Sequence, residues 1–331
     1  MKKSLIALAF GTLGLGIAEF VMMGILPDVA RDLGISIATA GHLISAYALG
    51  VCVGAPMLIL ARRYQLKYIL MFLVGVMMLG NVCAALSPNY WVMLVARFIS
   101  GLPHGAYFGV ASIVAEKLAD KGRGSEAVSI MIAGMTIANL FGVPLGTALS
   151  ASISWRLTFL LVGCWGVIIL YYMWRWVPRV ENLPDTGLRG QFRFLKSPAP
   201  WLILGATLLG NGGTFAWYSY VTPLLTNVAG FPARMITFLM VLAGFGMVVG
   251  NLAGGRLSDR FSPGRVAAFA QGMICVALLF IFFFAHISWL AVGLMCLCTA
   301  GLFAVSSPQQ VLLIRYSKGG EMLGAASVQV A

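Results

Sequence analysis

"RVENLPDTGLRGQFRFLKSPAP", residues 179–200, is the longest polar interruption in an otherwise strongly apolar chain. It is rich in proline and basic residues and stops just before a new apolar run, so it reads as a linker between two embedded halves. Outward from it, the 331 residues are 60% hydrophobic and only 10% charged, whereas a soluble domain carries about 25% charged residues. Apolar stretches of about 20 residues lie at 4–26, 41–61, 68–87, 91–114, 127–150 and 157–178 before the linker. Four more follow it, at 201–223, 236–257, 264–285 and 289–312. Each is long enough to cross a bilayer as a helix, the form that satisfies its own backbone hydrogen bonds in lipid. The expected fold is an all-α polytopic membrane protein.

A net charge of +12 raises nucleic acid as a partner, but the distribution of charge argues against it. With the N-terminus in the cytoplasm, 18 of the 22 Lys and Arg fall on the cytoplasmic side: Lys2/Lys3, Arg62/Arg63/Lys67, Lys117/Lys121/Arg123, Arg175 through Lys196, Arg256/Arg260/Arg265 and Arg315/Lys318. Arg31, Arg156 and Arg234 lie outside, and Arg97 is within a span. This is the positive-inside pattern; the basic balance reports topology, with a lipid bilayer and no nucleic acid as partner. The Lys2-Lys3 start resembles a signal peptide, yet the apolar run after it is too long and lacks a clear small-residue cleavage site. It is read as a retained first helix. Cys52, Cys83, Cys164, Cys275, Cys296 and Cys298 all fall within predicted spans at spacings that fit neither zinc nor a disulfide framework. No metal and no cofactor are expected.

Sliding the chain against itself by 196 residues places Pro27 on Pro223, Gly34 on Gly230, Gly50 on Gly246 and Gly54 on Gly250. The domain division expected from this is a six-helix bundle over 1–178, a cytoplasmic linker over 179–200 and a second bundle over 201–331. At the same offset Ala331 falls opposite position 135. The second bundle is therefore expected to hold helices seven to ten and only the opening of an eleventh, and a non-transporting truncated protein stands as the alternative to a transporter. Small residues recur every four positions at Gly134/Ala138/Gly142/Gly146, Gly246/Gly250/Gly254 and Gly101/Gly105/Gly109. Such strips let backbones approach closely in lipid; the fifth and eighth helices are expected to meet along theirs, and Gly50/Gly54 to face the eleventh. Pro144 removes the hydrogen bond to the Leu140 carbonyl and predicts a bend.

Away from span ends only two charged side chains lie deep, Glu19 and Arg97. Glu19 is seven residues below the outer end of the first span and Arg97 six below that of the fourth, so both sit about 10 Å beneath the outer boundary. A deep charge faces a partner or a cavity by default. Arg keeps its proton and Glu can take one, which makes Glu19 the candidate proton carrier and Arg97 the fixed charge beside it. His104, two turns after Arg97, is a candidate relay or a neutral hydrogen-bonding side chain. Tyr47, Tyr107, Asn139, Asn211, Trp217 and Tyr218 are candidates for lining a cavity. Asp259 opposes the dipole of its own helix C-terminus and should seek a positive partner, such as the start of the fifth helix near Ser125.

These residues together resemble the major facilitator superfamily, in its twelve-helix drug/proton antiporter branch. The likeness runs through "GHLISAYALGVCVGAP" (41–56), "FISGLPHGAYFGV" (98–110), "MTIANLFGVPLGT" (135–147) and "FRFLKSPAPWLI" (192–203). By this resemblance Arg97 and Gly101 belong to the fourth-helix motif tied to proton transfer. Gly142, Pro144 and Gly146 resemble the fifth-helix antiporter motif, with Thr147 in place of its second glycine. Gly255, Asp259 and Arg260 resemble the second copy of the loop signature G-x-L-x-D-R, whereas the first copy, "PMLILARRYQLK", has no Asp. Glu19 resembles the first-helix acid of some drug/proton antiporters. The resemblance implies alternating access in the bacterial inner membrane by a monomer, with proton entry driving out a small molecule: a sugar such as arabinose, a drug or a metabolite. GxxxxGK[ST] is absent, so no ATP-driven pump is indicated. No Ser/His, Asp/Asp or metal-ligand pair points to an enzyme.

Overall fold

The structure is a computed structural model that describes residues 2–329 apart from Arg62, 181–186, Ser219, Tyr220, Thr222, Pro223, Ala233 and Arg234. For Pro27, Ala151, Leu188, Arg189, Ile236 and Thr237 only the backbone is described. Before the linker run α1 Lys2–Asp32, α2 Ile37–Met57, α3 Leu66–Ala85, α4 Tyr90–Lys117, α5 and α6 Trp155–Trp176. Helix α5 joins three pieces: Gly124–Ile137, a wider π turn Ala138–Gly142, and Val143–Ser152. After the linker come α7 Pro198–Tyr218, α8 Ile236–Arg260, α9 Pro263–Phe284, α10 Ser288–Tyr316 and the short α11 Glu321–Ser327. Nine helices among the described residues are long and apolar enough to cross a membrane. The remaining predicted span, 201–223, is helical over Pro198–Tyr218. It carries Thr207, Asn211 and Thr214, the first two of which line a cavity.

Local chemistry sets the helix ends. Ser36 accepts from the Thr39 N–H to start α2, and Asn89 from the Val92 N–H to start α4, both at 3.0 Å; each satisfies one orphan donor of a first turn. The sequence reading ends the first helix at Leu26, before Pro27, but α1 continues to Asp32. A proline removes a single ladder bond, and beyond it Val29 is buried while Ser150 donates to Asp28 at 2.7 Å. The stop comes at Gly34 (φ +64°), where the Ile35 N–H donates to the Ala30 carbonyl at 3.0 Å. Gly230 (φ +74°) is its counterpart, with the Phe231 N–H donating to the Leu225 carbonyl at 2.9 Å. Both positions need a residue without Cβ, so this pair of the 196-residue correspondence is one of backbone geometry.

Helix α4 packs on α2 and α3, α1 on α5 and α6, and α10 on α8 and α9. The glycine strips make these contacts. Gly50 and Gly54 of α2 lie against the carbonyls of Phe98 and Leu102 of α4, and Gly101 against that of Tyr47. Likewise Gly250 and Gly254 of α8 lie against the carbonyls of Ala300 and Ala304 of α10. In α5, Gly134, Ala138, Gly142 and Gly146 all face α1, against Ala9, Gly16, Ile17 and Val21. A spacing of four drifts by about 40° per step around an α-helix, and the π turn takes up the excess; it sits where Pro144 leaves the Leu140 carbonyl without its usual donor.

The expected partners of the strips are therefore corrected. Spacing shows that backbones come close, but it does not say to what. The α5–α8 seam exists and is built from other residues: Leu140 beside Gly244, Ser129 beside Gly255, and a paired contact between Ser129 and Asn251. There the Ser129 hydroxyl donates to the Asn251 carbonyl at 2.6 Å and the Asn251 amide donates to the Ser129 carbonyl at 2.9 Å. Helix α11 lies mainly on α4 and α10, with Gly109 against Ala326 and the Gln310 amide donating to the Ala325 carbonyl at 2.6 Å.

Candidate functional site

Arg97 is wholly buried on α4. Its Nη1 donates to the Ala18 carbonyl of α1 at 2.7 Å, and its guanidinium lies over the rings of Tyr47 (4.5 Å) and Phe159 (5.5 Å). Its Nε and Nη2 find no hydrogen-bond acceptor among the described residues. The shared depth read from the sequence does bring α1 and α4 together here, but through a backbone carbonyl. A backbone carbonyl points along the helix axis while side chains point outward from it, and the Glu19 side chain meets a different partner. Its Oε2 stands 3.7 Å from Nε2 of His104.

His104 is held from both sides. Its Nδ1 shares a hydrogen bond with the Tyr47 hydroxyl at 2.9 Å, and its ring stacks on Phe108 at 4.9 Å. Two arrangements satisfy this geometry: the hydroxyl donates to Nδ1 and the ring proton of the neutral imidazole sits on Nε2 toward Glu19, or the hydroxyl donates to the Leu15 carbonyl (3.5 Å) and accepts from Nδ1. Glu19, His104, Tyr47 and Arg97 thus form one string across α1, α2 and α4. Arg97 carries its charge at the protein end and Glu19 opens the other end to a cavity.

That cavity has a volume of about 300 Å³. Glu19, Cys52, His104 and Met135 line it from the first six helices; Asn211, Phe215, Ser306, Gln309 and Gln329 line it from beyond the linker. A larger hollow of about 660 Å³ between α2, α3 and α4 is walled by apolar and tyrosine side chains such as Leu60, Tyr64 and Phe72. Among the described residues it offers no charged group to orient a solute, whereas the smaller cavity holds Glu19 and His104.

Of the six cavity candidates read from the sequence, Asn211 lines the wall. Tyr47 stands behind it, positioning His104. Tyr107 is buried with its hydroxyl donating to the Leu8 carbonyl at 3.0 Å. Asn139 lies in the π turn and donates to the Met135 carbonyl at 3.1 Å. Trp217 and Tyr218 pack against each other, 6.1 Å between rings, among apolar neighbours. Polar or aromatic character within a span selects all six; the helix face they occupy, which neighbouring helices decide, separates them. Ser306 and Gln309 were not among the candidates, although the polar run "SSPQQ" (306–310) inside an apolar span marks them.

Toward the end of the molecule that carries the basic loops, the two sides of the cavity are tied together. The Asp259 carboxylate accepts from the backbone N–H groups of Ser125 (2.9 Å) and Glu126 (2.7 Å), the start of α5. An acid opposed to the dipole of its own helix is offset by the N-terminus of another. Ser258 donates to the Ser125 hydroxyl at 2.9 Å, and the Ser307 hydroxyl donates to the Ser125 carbonyl at 2.5 Å. Glu126 pairs with Arg123 (2.6 Å) and Arg256 (3.4 Å), and Glu116 with Arg315 (3.5 Å). Gly255 leaves room for Ser129 and the Ser125 carbonyl, while Arg260 lies over the Phe261 ring at 5.5 Å. These contacts hold α5, α8 and α10 together at the basic end. At the opposite end Asp32 pairs with Arg156, which also donates to the Ser87 carbonyl at 2.9 Å. The hydrogen bond from Arg156 is the main reason that the Asp32 carboxyl titrates below the usual range.

Comparison with known proteins agrees with this architecture. The Major Facilitator Superfamily sequence model matches residues 8–330. AraJ of Escherichia coli (strain K12) is 49% identical over 332 residues, covering 100% of this chain and 84% of AraJ. A Helicobacter pylori (strain ATCC 700392 / 26695) protein named "Probable sugar efflux transporter" is 28% identical over 287 residues, 86% of this chain and 72% of its own length. Among solved structures, the proton:xylose symporter XylE bound to 6-bromo-6-deoxy-D-glucose matches with a TM-score of 0.80 and 14% identity, over 99% of this chain and 85% of that one. That last likeness is one of fold. The chain belongs to the major facilitator superfamily and is a multi-pass membrane transporter.

Proposed function

We propose that this protein is a proton-coupled efflux transporter of the bacterial inner membrane that exports a small polar solute, a sugar such as arabinose, by alternating access. The N-terminus and basic loops face the cytoplasm, as the charge distribution favours. The arrangement in hand is then the state closed to the cytoplasm, with the cavity reached from outside. One observation carries the reading: the deep acid Glu19 puts an oxygen without a hydrogen-bond donor at the cavity, beside His104. An intramembrane carboxylate at a cavity is placed to take a proton from one side and release it on the other. Protonated, it is a neutral wall residue; deprotonated, it is a charge that draws on His104 and on the field of Arg97. Solute and proton then compete for one polar surface, and rocking of the halves about the cavity exchanges them. The sugar class is supported by the name of the Helicobacter relative.

The test is transport in proteoliposomes with and without a pH gradient. Glu19→Gln should abolish gradient-driven efflux of radiolabelled L-arabinose while leaving membrane insertion and gradient-free exchange intact. Efflux by the variant that still follows the gradient would overturn the assignment.

A further inference from the structure

The cavity wall beyond the linker carries hydrogen-bonding groups without partners. Gln309 on α10 is 2% exposed and lines the cavity, and neither atom of its amide finds a hydrogen-bond partner among the described residues; its Oε1 is fully buried. Ser306, one turn earlier on the same face, already donates its hydroxyl proton to the Leu302 carbonyl at 3.1 Å, which leaves its oxygen as an acceptor. Across the cavity Glu19 Oε2 is a third acceptor without a donor. Donors stand beside them: the amide nitrogen of Asn211, whose oxygen accepts from Gln271 at 3.4 Å, and the Gln309 amide nitrogen itself. Buried polar groups are almost always paired, so the acceptors and donors left open around the cavity describe the complement of what fills the space. A molecule whose groups both donate and accept fits, and hydroxyl groups do so without charge. Phe108, Phe215 and Phe303 in the same wall give the apolar faces of a sugar ring flat surfaces to rest on.

We propose that Gln309 is a substrate-binding and specificity-determining residue, accepting a hydrogen bond from a hydroxyl group of a neutral polyhydroxylated substrate. The proposal rests on the efflux reading for its place in transport, yet it is tested by binding alone. The full chain, purified in detergent, is melted in the presence of L-arabinose, D-xylose or tetraphenylphosphonium, a lipophilic cation with no hydrogen-bond donor. Gln309→Met keeps the length of the side chain and removes both amide atoms. The sugar concentration that gives half-maximal stabilisation should rise about ten- to a hundredfold, the usual effect of removing a partner from a buried hydroxyl. Without ligand the variant should melt at the same temperature or higher, because an unpaired acceptor has been replaced by an apolar group of similar shape. The response to tetraphenylphosphonium should change less than about twofold, since that cation has nothing to give the amide.

An unchanged sugar midpoint would overturn the assignment. A lower melting temperature of the ligand-free variant would do so as well, since it would mean that the amide holds the helices together. No sugar-induced shift in the wild-type protein would overturn the substrate class. Sugar binding that depends on Gln309, together with efflux that ignores the pH gradient, would leave this inference standing and remove the proton coupling instead.

Discussion

Arg97 spreads one charge over a carbonyl and two aromatic faces, which a planar guanidinium does and a point-charged ammonium does not. Arg97→Lys is therefore expected to be a severe change: transport should fall to less than about a tenth of wild type, with a lower melting temperature in detergent, at normal expression. Near-wild-type rates would show that only the charge matters. Asp32 allows a prediction in pH. Its folded-state pKa lies below the ordinary value because of Arg156, so its contribution is fully present above about pH 4. That contribution is lost as pH falls through the lower folded-state value. The pair is half-exposed, which limits it to about 1 kcal/mol or less. Arg156→Gln should lower the melting temperature slightly at neutral pH, and the gap from wild type should close well below pH 4. At this scale the sequence was legible for isolated charges: Glu19, Arg97 and Asp259 each stand out against an apolar background. The partner of Glu19 was less so, because a shared depth leaves open which way a side chain turns.

Among the elements, α4 and α5 on one side and α8, α10 and α11 on the other carry the contacts between the two sides of the cavity. Cysteines placed at 140 and 244 should cross-link readily, and a pair at 142 and 250 should not, since Gly142 faces α1 and Gly250 faces α10. The reverse result would restore a glycine-strip seam between α5 and α8. Gly250→Leu would drive a side chain into the Ala300 carbonyl, and overpacking of this kind destabilises by about 1–3 kcal/mol. Its expected signature is a lower melting temperature and less folded protein, not a selective loss of transport. The spans were legible because 20-residue apolar runs admit few alternatives. The partners of the small-residue strips were not legible, since every helix in lipid offers a similar surface and the choice among them is made by packing of the whole.

For the whole molecule, the proposed alternating access predicts that the ties at the basic end set which side of the cavity is open. Asp259→Ala should loosen them and populate the opposite state. Cys52 reports this, because it lines the cavity and is exposed. With the other five cysteines changed to serine, a membrane-impermeant charged thiol reagent applied from the side away from the basic loops should label Cys52 several-fold more slowly in the Asp259→Ala background. Equal labelling rates would mean that Asp259 does not hold the state. The way in which Asp259 is bound has a further consequence for inheritance. It grips the backbone of α5 at Ser125 and Glu126, not their side chains, so only one of the two partners is written in the genetic code. Substitutions at 125 and 126 that keep the helix start leave the grip in place, and no charge swap at those positions can compensate for an altered residue 259. Second-site suppressors of an Asp259 defect should therefore map elsewhere, to changes that slow the opening of α10 or α11 or that disfavour the opposite state.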